Sequence, residues 1–362
     1  MSYPNATPPR WTHVIAWVLC VVTFPLIWVG GLITTTDAGM AVPDWPGTYG
    51  YNLFLYPWQT WFFGPWDLFI EHGHRLLASL VGLVTIGLVV AAFREQQSKR
   101  VRRLAVGALL LVCFQGFLGG ARVLINARHL ALLHGSTGPL FFVVTVLLVA
   151  ATAKARRGPD ERSGWLAAAL PFLLYCQLVL GATLRHTPEE GDPWAFALHV
   201  QSHLWMAAVV ALATLAVAVF DTWGNRRRFA GLLATVLLVQ VSLGAATWIA
   251  KYRYPGWAHP TASLTAAADG RSLAPPRVRG WAMEVVPATI QPATASGFAE
   301  TVIVTGHSAI GSLLLALATA RAVRWGDAGG GVTATHERST TVRDPAPKTS
   351  AASPPPRESV LV

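Results

Sequence analysis

An α-helix needs about 20 consecutive apolar residues to cross the hydrocarbon core of a bilayer, and this 362-residue chain offers such a stretch eight times in succession. The windows are Trp11–Thr34, Ile70–Phe93, Leu104–Val123, Leu130–Ala153, Trp165–Leu184, Ala197–Asp221, Phe229–Ala250 and Glu300–Val323. Charged residues make up only 13% of the sequence, against about 25% in an average soluble domain. The expected fold class is therefore an all-α membrane protein with eight transmembrane helices. The first window reads as a retained span. No small-residue cleavage site follows Gly30-Gly31-Leu32-Ile33, and the segment before it has one basic residue, Arg10. The N-terminus also lacks the Arg/Ser-rich character of a transit peptide, so a bacterial inner membrane is the expected location.

The formal charge of +10 could suggest nucleic acid, but its placement says otherwise. Basic residues gather in every second connection: Arg94, Lys99, Arg100, Arg102 and Arg103, then Lys154, Arg156, Arg157 and Arg162, then Arg226, Arg227 and Arg228, then Arg321 and Arg324. Cytoplasmic loops carry such an excess, which puts both termini in the cytoplasm and leaves no nucleic-acid role to explain. The cysteines, Cys20, Cys113 and Cys176, all fall inside spans and read as small core residues, with no pair placed to form an outer disulfide.

Short inner loops make successive spans antiparallel neighbours. The first outer loop, Thr35–Phe69, contains no Lys or Arg and is rich in Trp, Tyr and Pro, a composition suited to a cap at headgroup level. The outer loop 251–299 reads as an extramembrane lid or partner surface, and the tail 326–362 as disordered. A weak repeat divides the rest into an N-terminal half, 11–157, and a C-terminal half, 158–325, behind a cytoplasmic segment 1–10. Odd spans share a phrase, Gln115-x-x-x-Gly119, Gln177-x-x-x-Gly181 and Gln240-x-x-x-Gly244, with Gly30-Gly31 at the end of the first. Even spans open with His74, His134, His203 and His307. Two pseudo-repeated four-helix bundles would produce this pattern. Glycine near the outer end serves either close backbone packing or room for a flat ligand.

The chain has 11 histidines; His72, His129, His186 and His199 join the four above near the outer side. Ionisable groups at membrane depth are costly and tend to be functional. Two histidines facing each other from neighbouring helices can ligate one heme iron axially. Zinc, which takes three or four clustered ligands, fits two separated pairs less well. No Cys-x-x-Cys-His signal occurs, so a heme here would be non-covalent. Arg75, Arg122 and Arg185 lie beside the histidines and suit bidentate pairing with propionates, while Arg128 is as easily an interfacial residue. Glu71 stands three residues before His74 on one helix face, where a carboxylate could relay protons. The second half has His199, not an acid, near the matching place. The halves are thus chemically unequal, and the half with the acid is expected to carry the chemistry.

Taken together, Gly30-Gly31-Leu32-Ile33-Thr34-Thr35-Thr36-Asp37-Ala38-Gly39, Asp44-Trp45-Pro46, Glu71-His72-Gly73-His74-Arg75, Leu132-Leu133-His134-Gly135, Gly181-Ala182-Thr183-Leu184-Arg185-His186-Thr187, Val200-Gln201-Ser202-His203 and Thr305-Gly306-His307-Ser308 resemble the heme A synthase family. The resemblance runs from the first span to the eighth. It implies an inner-membrane oxidoreductase of eight helices that converts the C8 methyl group of heme O to the formyl group of heme A for cytochrome c oxidase. It further implies that His74 and His134 face the substrate heme, that Glu71 is catalytic, and that His203 and His307 ligate the iron of a resident heme b. Heme O synthase, an electron-transfer partner, membrane lipid and a second copy of the chain are the partners it leaves room for. The chain departs from many bacterial members in having no Cys pair in the first outer loop and Leu204 where a basic residue usually follows the third histidine. His203 is taken as the ligand over His199 because it follows Val200-Gln201. Two rivals are a di-heme b-type cytochrome without heme modification and a two-repeat transporter with proton-carrying histidines. Four histidines near one face suit a pocket better than a transmembrane electron path, and no broken midplane helix is evident.

Overall fold

The computed structural model describes residues 11–153, 164–187, 193–224, 226–252 and 297–329. Within these, all regular structure is helical apart from a single β-bridge between Thr48 and Tyr51. Eight helices are long and apolar enough to cross a membrane: α1 (Trp11–Thr35), α2 (Trp66–Arg94), α3 (Lys99–Ile125), α4 (Arg128–Thr152), α5 (Gly164–His186), α6 (Pro193–Trp223), α7 (Arg227–Tyr252) and α8 (Phe298–Gly329). A short helix, Trp58–Phe62, precedes α2. The N-terminal segment, most of the loop 251–299 and the tail beyond Gly329 lie outside the described residues.

The helices overrun the apolar windows, and the excess has local causes. Ser98 caps α3, its side chain accepting from the Val101 N–H at 3.3 Å. The basic turn Lys99–Arg103 is therefore helical, although hydropathy alone begins the span at Leu104. At the other end Asn126 takes a left-handed conformation, φ 44°, which stops the helix as αL caps do. The starts of α2 and α6 likewise lie a full turn before their windows, and α8 continues to Gly329, into what reads from sequence as the tail. One consequence corrects the expectation that the histidines open their helices. His74, His134, His203 and His307 fall six to ten residues inside α2, α4, α6 and α8, about 9–15 Å along the axis.

Packing forms two closed rings. In one, α1 packs on α2, α2 on α3, α3 on α4 and α4 on α1; in the other, α5, α6, α7 and α8 close in the same cyclic way. Each ring has its own apolar core. Ala16, Leu19, Val81, Leu88, Ala105, Phe141 and Leu148 fill the first. Leu170, Leu174, Val217, Leu233, Leu314 and Leu315 fill the second. The rings meet along α1, α4, α5 and α8, where Phe142 and Val146 of α4 pack with Ala316 of α8, Cys20 and Phe24. Outward-facing leucines such as Leu83, Leu110, Leu212 and Leu238 are exposed, as befits helices whose outer faces meet hydrocarbon.

The end of the bundle away from the four histidines is pinned by polar contacts. Glu95, just beyond α2, accepts from the Thr12 hydroxyl at 2.7 Å, and His13 Nδ1 meets the Thr152 hydroxyl at 2.8 Å. In the second ring Arg321 of α8 holds Asp221 of α6 through Nε at 2.8 and 2.9 Å and Nη2 at 2.7 Å. Both residues are 2% exposed or less.

Candidate functional site

Each of the four histidines rests on a glycine of the preceding long helix. A Cβ built on Gly30 of α1 would lie 3.1 Å from Cε1 of His74. The same construction gives 3.2 Å from Gly119 of α3 to His134, 3.1 Å from Gly181 of α5 to His203, and 2.9 Å from Gly244 of α7 to His307. The glycines in the repeated phrase therefore make room for imidazole rings, a use that is neither of the two open from sequence, close backbone packing or room for a flat ligand. Hydrogen at Cα lets the ring lie against the helix backbone; a methyl group would collide with it.

The glutamines one turn earlier complete the seat. The Gln240 carbonyl lies 3.2 Å from His307 Nδ1. A carbonyl only accepts, so Nδ1 carries the proton and Nε2 keeps its lone pair for a metal, the usual arrangement for a ligating histidine. Gln177 Nε2 donates to the His203 carbonyl at 3.1 Å and stands 3.2 Å from the ring Nδ1. The His203 and His307 rings face each other with centres 6.3 Å apart at an interplanar angle of 73°. An imidazole nitrogen sits about 2 Å from a first-row metal, and these two residues are close enough that they would be the ones to hold an iron.

His74 and His134 form the other pair. Nδ1 of His74 is buried and has no hydrogen-bond partner among the described residues, and such an orphan calls for a ligand or water; the Gln115 backbone stands beside the His134 ring. Gln115, in the phrase before Gly119, donates to the Thr137 hydroxyl of α4. No group of three or more His, Cys, Asp or Glu gathers as a metal cage among the described residues. The donor set and the glycine seats fit porphyrin iron.

Glu71 is 4% exposed and both its oxygens are engaged. Oε2 accepts the Val42 N–H at 2.9 Å and Oε1 accepts from Arg75 Nη2 at 3.0 Å. Arg75 spends its other terminal donors on the carbonyls of Val42, Asp44 and Gly47, at 2.9, 2.7 and 2.8 Å. Together they bind the first outer loop to α2 beside His74. Arg122 donates to the Gly39 carbonyl at 2.6 Å, in the space left because Gly39 has no side chain. Arg185 reaches Ser308 at 3.1 Å, the Gly31 carbonyl at 2.7 Å and the Thr35 hydroxyl. Of the three arginines read as propionate partners, Arg122 has the most donors left.

The remaining histidines are placed apart from the pairs. His72 is buried, bonded to the Thr48 hydroxyl at 2.9 Å and packed between Tyr56 and Trp61. His199 lies 3.5 Å from the Thr187 hydroxyl, while His203 faces His307. His186 approaches Gly135, next to His134. His129 is exposed.

What sequence reasoning missed is how the loop folds. Trp45 packs its indole on α3 so closely that a Cβ on Gly120 would overlap it at 2.3 Å. Asp44 accepts the Tyr49 N–H at 2.7 Å and the Gly50 N–H at 2.9 Å, closing the turn in which Tyr49 and Gly50 have φ of 49° and 78°. The phrase Asp44-Trp45-Pro46 was visible, but nothing in it announced its docking site. Partial burial of Asp44 opposes its ionisation, yet the bonds from Gly50 and Tyr49 and the Arg75 charge outweigh it and hold the carboxyl below its ordinary value. A depressed folded pKa contributes stability above the unfolded value, about 3.9, and loses it as pH falls through the folded value. Loop docking should therefore persist through neutral and mildly acid pH and weaken only below that range. Tryptophan fluorescence against pH reads this, and Asp44→Asn should remove the acid step while loosening the loop at neutral pH.

A polytopic α-helical membrane protein with a facing His203/His307 pair in one ring, and His74 and His134 on matching glycine seats near a buried carboxylate in the other, is the class these features define. Comparison with known proteins shows what the chain is similar to. The COX15-CtaA family model, described as cytochrome oxidase assembly protein, matches residues 66–188, which include Glu71, His74, His134 and Arg185. The heme A synthase of Rhizorhabdus wittichii is 27% identical over 310 residues, covering 68% of this chain and 88% of that protein. The heme A synthase of Symbiobacterium thermophilum is 29% identical over 180 residues, covering 46% of this chain and 56% of the other. A protoheme IX farnesyltransferase of Halobacterium salinarum is 28% identical over 204 residues, 54% of this chain and 40% of its own. The chain thus spans little more than half the length of the Symbiobacterium relative. It is similar to heme A synthases over much of its length, and its residues 66–188 match the cytochrome oxidase assembly protein model.

Proposed function

We propose that this protein is a heme A synthase that oxidises the C8 methyl group of heme O to a formyl group. The observation that carries the reading is the inequality of two otherwise matching histidine pairs. All four rings sit on glycines, yet only the pair His74/His134 has a carboxylate, Glu71, on the same helix face as one of its members. Methyl to formyl with water as the oxygen source releases four electrons and four protons, so the acid belongs in the half that holds the substrate. His74 and His134 orient the substrate porphyrin through their ring nitrogens, and Glu71 takes a proton at a carboxylate oxygen. Arg122 is the nearest fit to a propionate. The loop held by Arg75 and Trp45 excludes water from the mouth of the pocket. His203 and His307 would hold a heme b, which supplies one-electron redox capacity when bound. The electrons leave to a membrane partner outside the chain, and the similarity to a protoheme IX farnesyltransferase supports heme O arriving from its own synthase.

The two closed rings, each with its own core and its own His-on-Gly contacts, support reading the halves as parallel repeats. The basic inner connections support both termini in the cytoplasm of a bacterial cell, with the histidines at the outer face. The test is to purify the protein, record its reduced spectrum, and separate the extracted hemes by chromatography. Heme b accompanied by heme O, its hydroxylated form or heme A is expected. Two equivalents of heme b and nothing else would make the protein a di-heme cytochrome. Glu71→Gln should keep heme b while heme A formation falls by 100-fold or more, within the range of general acid–base contributions, roughly 10²–10⁴.

A further inference from the structure

Arg185 belongs to the C-terminal half by sequence but spends its donors across the boundary between the halves. At the end of α5, it bonds the Gly31 carbonyl at 2.7 Å and the Thr35 hydroxyl of α1, and the Ser308 hydroxyl of α8 at 3.1 Å. The Thr305 hydroxyl of α8 donates to Thr35 at 3.0 Å, so the same threonine takes a bond from each partner helix. Gly31 is packed on this contact as well, since a Cβ there would touch the Thr305 methyl at 3.5 Å. The chain neighbours give these bonds their meaning. Gly31 follows Gly30, the seat of His74, and Ser308 follows His307. One guanidinium therefore grips the backbone beside the seat of one pair and the side chain beside a member of the other.

We propose that Arg185 is a positioning residue that couples the two histidine pairs, setting the register of α1 against α8 so that both sites are held together. This rests on the heme reading for its two heme readouts, and the exchange readout stands without it. A charged donor makes shorter and stronger bonds to carbonyls and hydroxyls than a neutral one. The planar fork holds several acceptors in fixed relation, which the point charge of lysine cannot do. A residue serving only as a propionate partner would affect one site; a coupling residue affects both.

The test uses the full-length protein with Arg185→Gln, Arg185→Lys and, at the exposed end of α4, Arg128→Gln as a control. Three quantities are read: electron paramagnetic resonance g-values of the resident heme, heme O retained per resident heme, and amide hydrogen exchange in 28–36 and 304–310. For Arg185→Gln we expect shifted g-values, heme O retention lower by roughly tenfold, as for loss of outer-shell support at metal sites, and faster exchange in both segments. Arg185→Lys should fall between, and Arg128→Gln should match the parent. A change in one site with the other untouched, or no change in either, overturns the proposal. Should Arg185→Gln fail to accumulate, Thr35→Val removes the hydroxyl shared by Arg185 and Thr305 while keeping the arginine and its bonds to Gly31 and Ser308, and should give the same paired effect at smaller size. A parent protein without any heme would sink the functional reading, and the exchange measurement would still decide the coupling.

Discussion

One methyl group added at Gly244 is expected to strip the C-terminal half of its heme. In Gly244→Ala the new carbon would stand 2.9 Å from His307 Cε1, closer than side-chain carbons approach. The ring has little room to yield, because its Nδ1 is tied to the Gln240 carbonyl one turn earlier on the same helix. Alanine is the better helix former by about 1 kcal/mol, so α7 itself should not suffer, and any loss reports on the seat. Gly231 on the same helix has open space where its Cβ would go, and Gly231→Ala should keep full heme. We expect resident heme in Gly244→Ala to fall by roughly tenfold or more, the scale seen when outer-shell support of a metal ligand is lost. Heme content by pyridine hemochrome checks this. A fully loaded Gly244→Ala protein would show that His307 does not need its seat.

Breaking the ion pair at the opposite end should cost more stability than any surface change. Asp221→Asn leaves Arg321 buried at 2% exposure without its carboxylate, and removing one member of a buried pair costs about 3–5 kcal/mol. The expected result is a lower unfolding temperature in detergent and reduced membrane yield. The double variant Asp221→Leu with Arg321→Met should recover most of the loss, because apolar replacement of a whole buried pair is often neutral. The pair joins α6 to α8, the helices that carry His203 and His307, about 20–27 Å away along their axes. Asp221→Asn should therefore also broaden the spectral signature of the resident heme. An unchanged melting curve for the single variant would mean the pair is not what holds these ends.

Much of this was legible in the amino-acid order, and the limits have a physical pattern. Spans and histidines announce themselves because hydropathy and residue type are local properties. The phrase Gln-x-x-x-Gly was equally visible, but its use was not. Whether Gly181 receives a porphyrin or the His203 ring depends on how far α5 and α6 are rotated about their axes, and no local pattern reports rotation. The arginines show the same gap. Arg75, Arg122 and Arg185 sit beside histidines in sequence, which made each a propionate candidate. In three dimensions Arg75 closes onto its own loop and Arg185 onto the other half. Asp221 and Arg321 lie 100 residues apart and looked like ordinary residues at helix ends. Apolar windows also misplace helix starts, because a capping serine such as Ser98 extends a helix through charged residues that hydropathy discards.

The seat of Trp45 on Gly120 has a bearing on how the chain is built. A polytopic protein enters the membrane from its N-terminus, so α1, the first outer loop and α2 are delivered before α3 exists. Until α3 arrives, the indole has no surface to rest on, and the loop is held by the Glu71–Arg75 clamp and by His72 against Thr48, Tyr56 and Trp61. Gly119 beside that surface is the seat of His134, which comes later still with α4. The docking of the first outer loop and the seating of the second histidine in this ring are thus completed by the same pair of late helices. A nascent chain stalled before α4 would carry the docked loop but only one of the ring's two histidines.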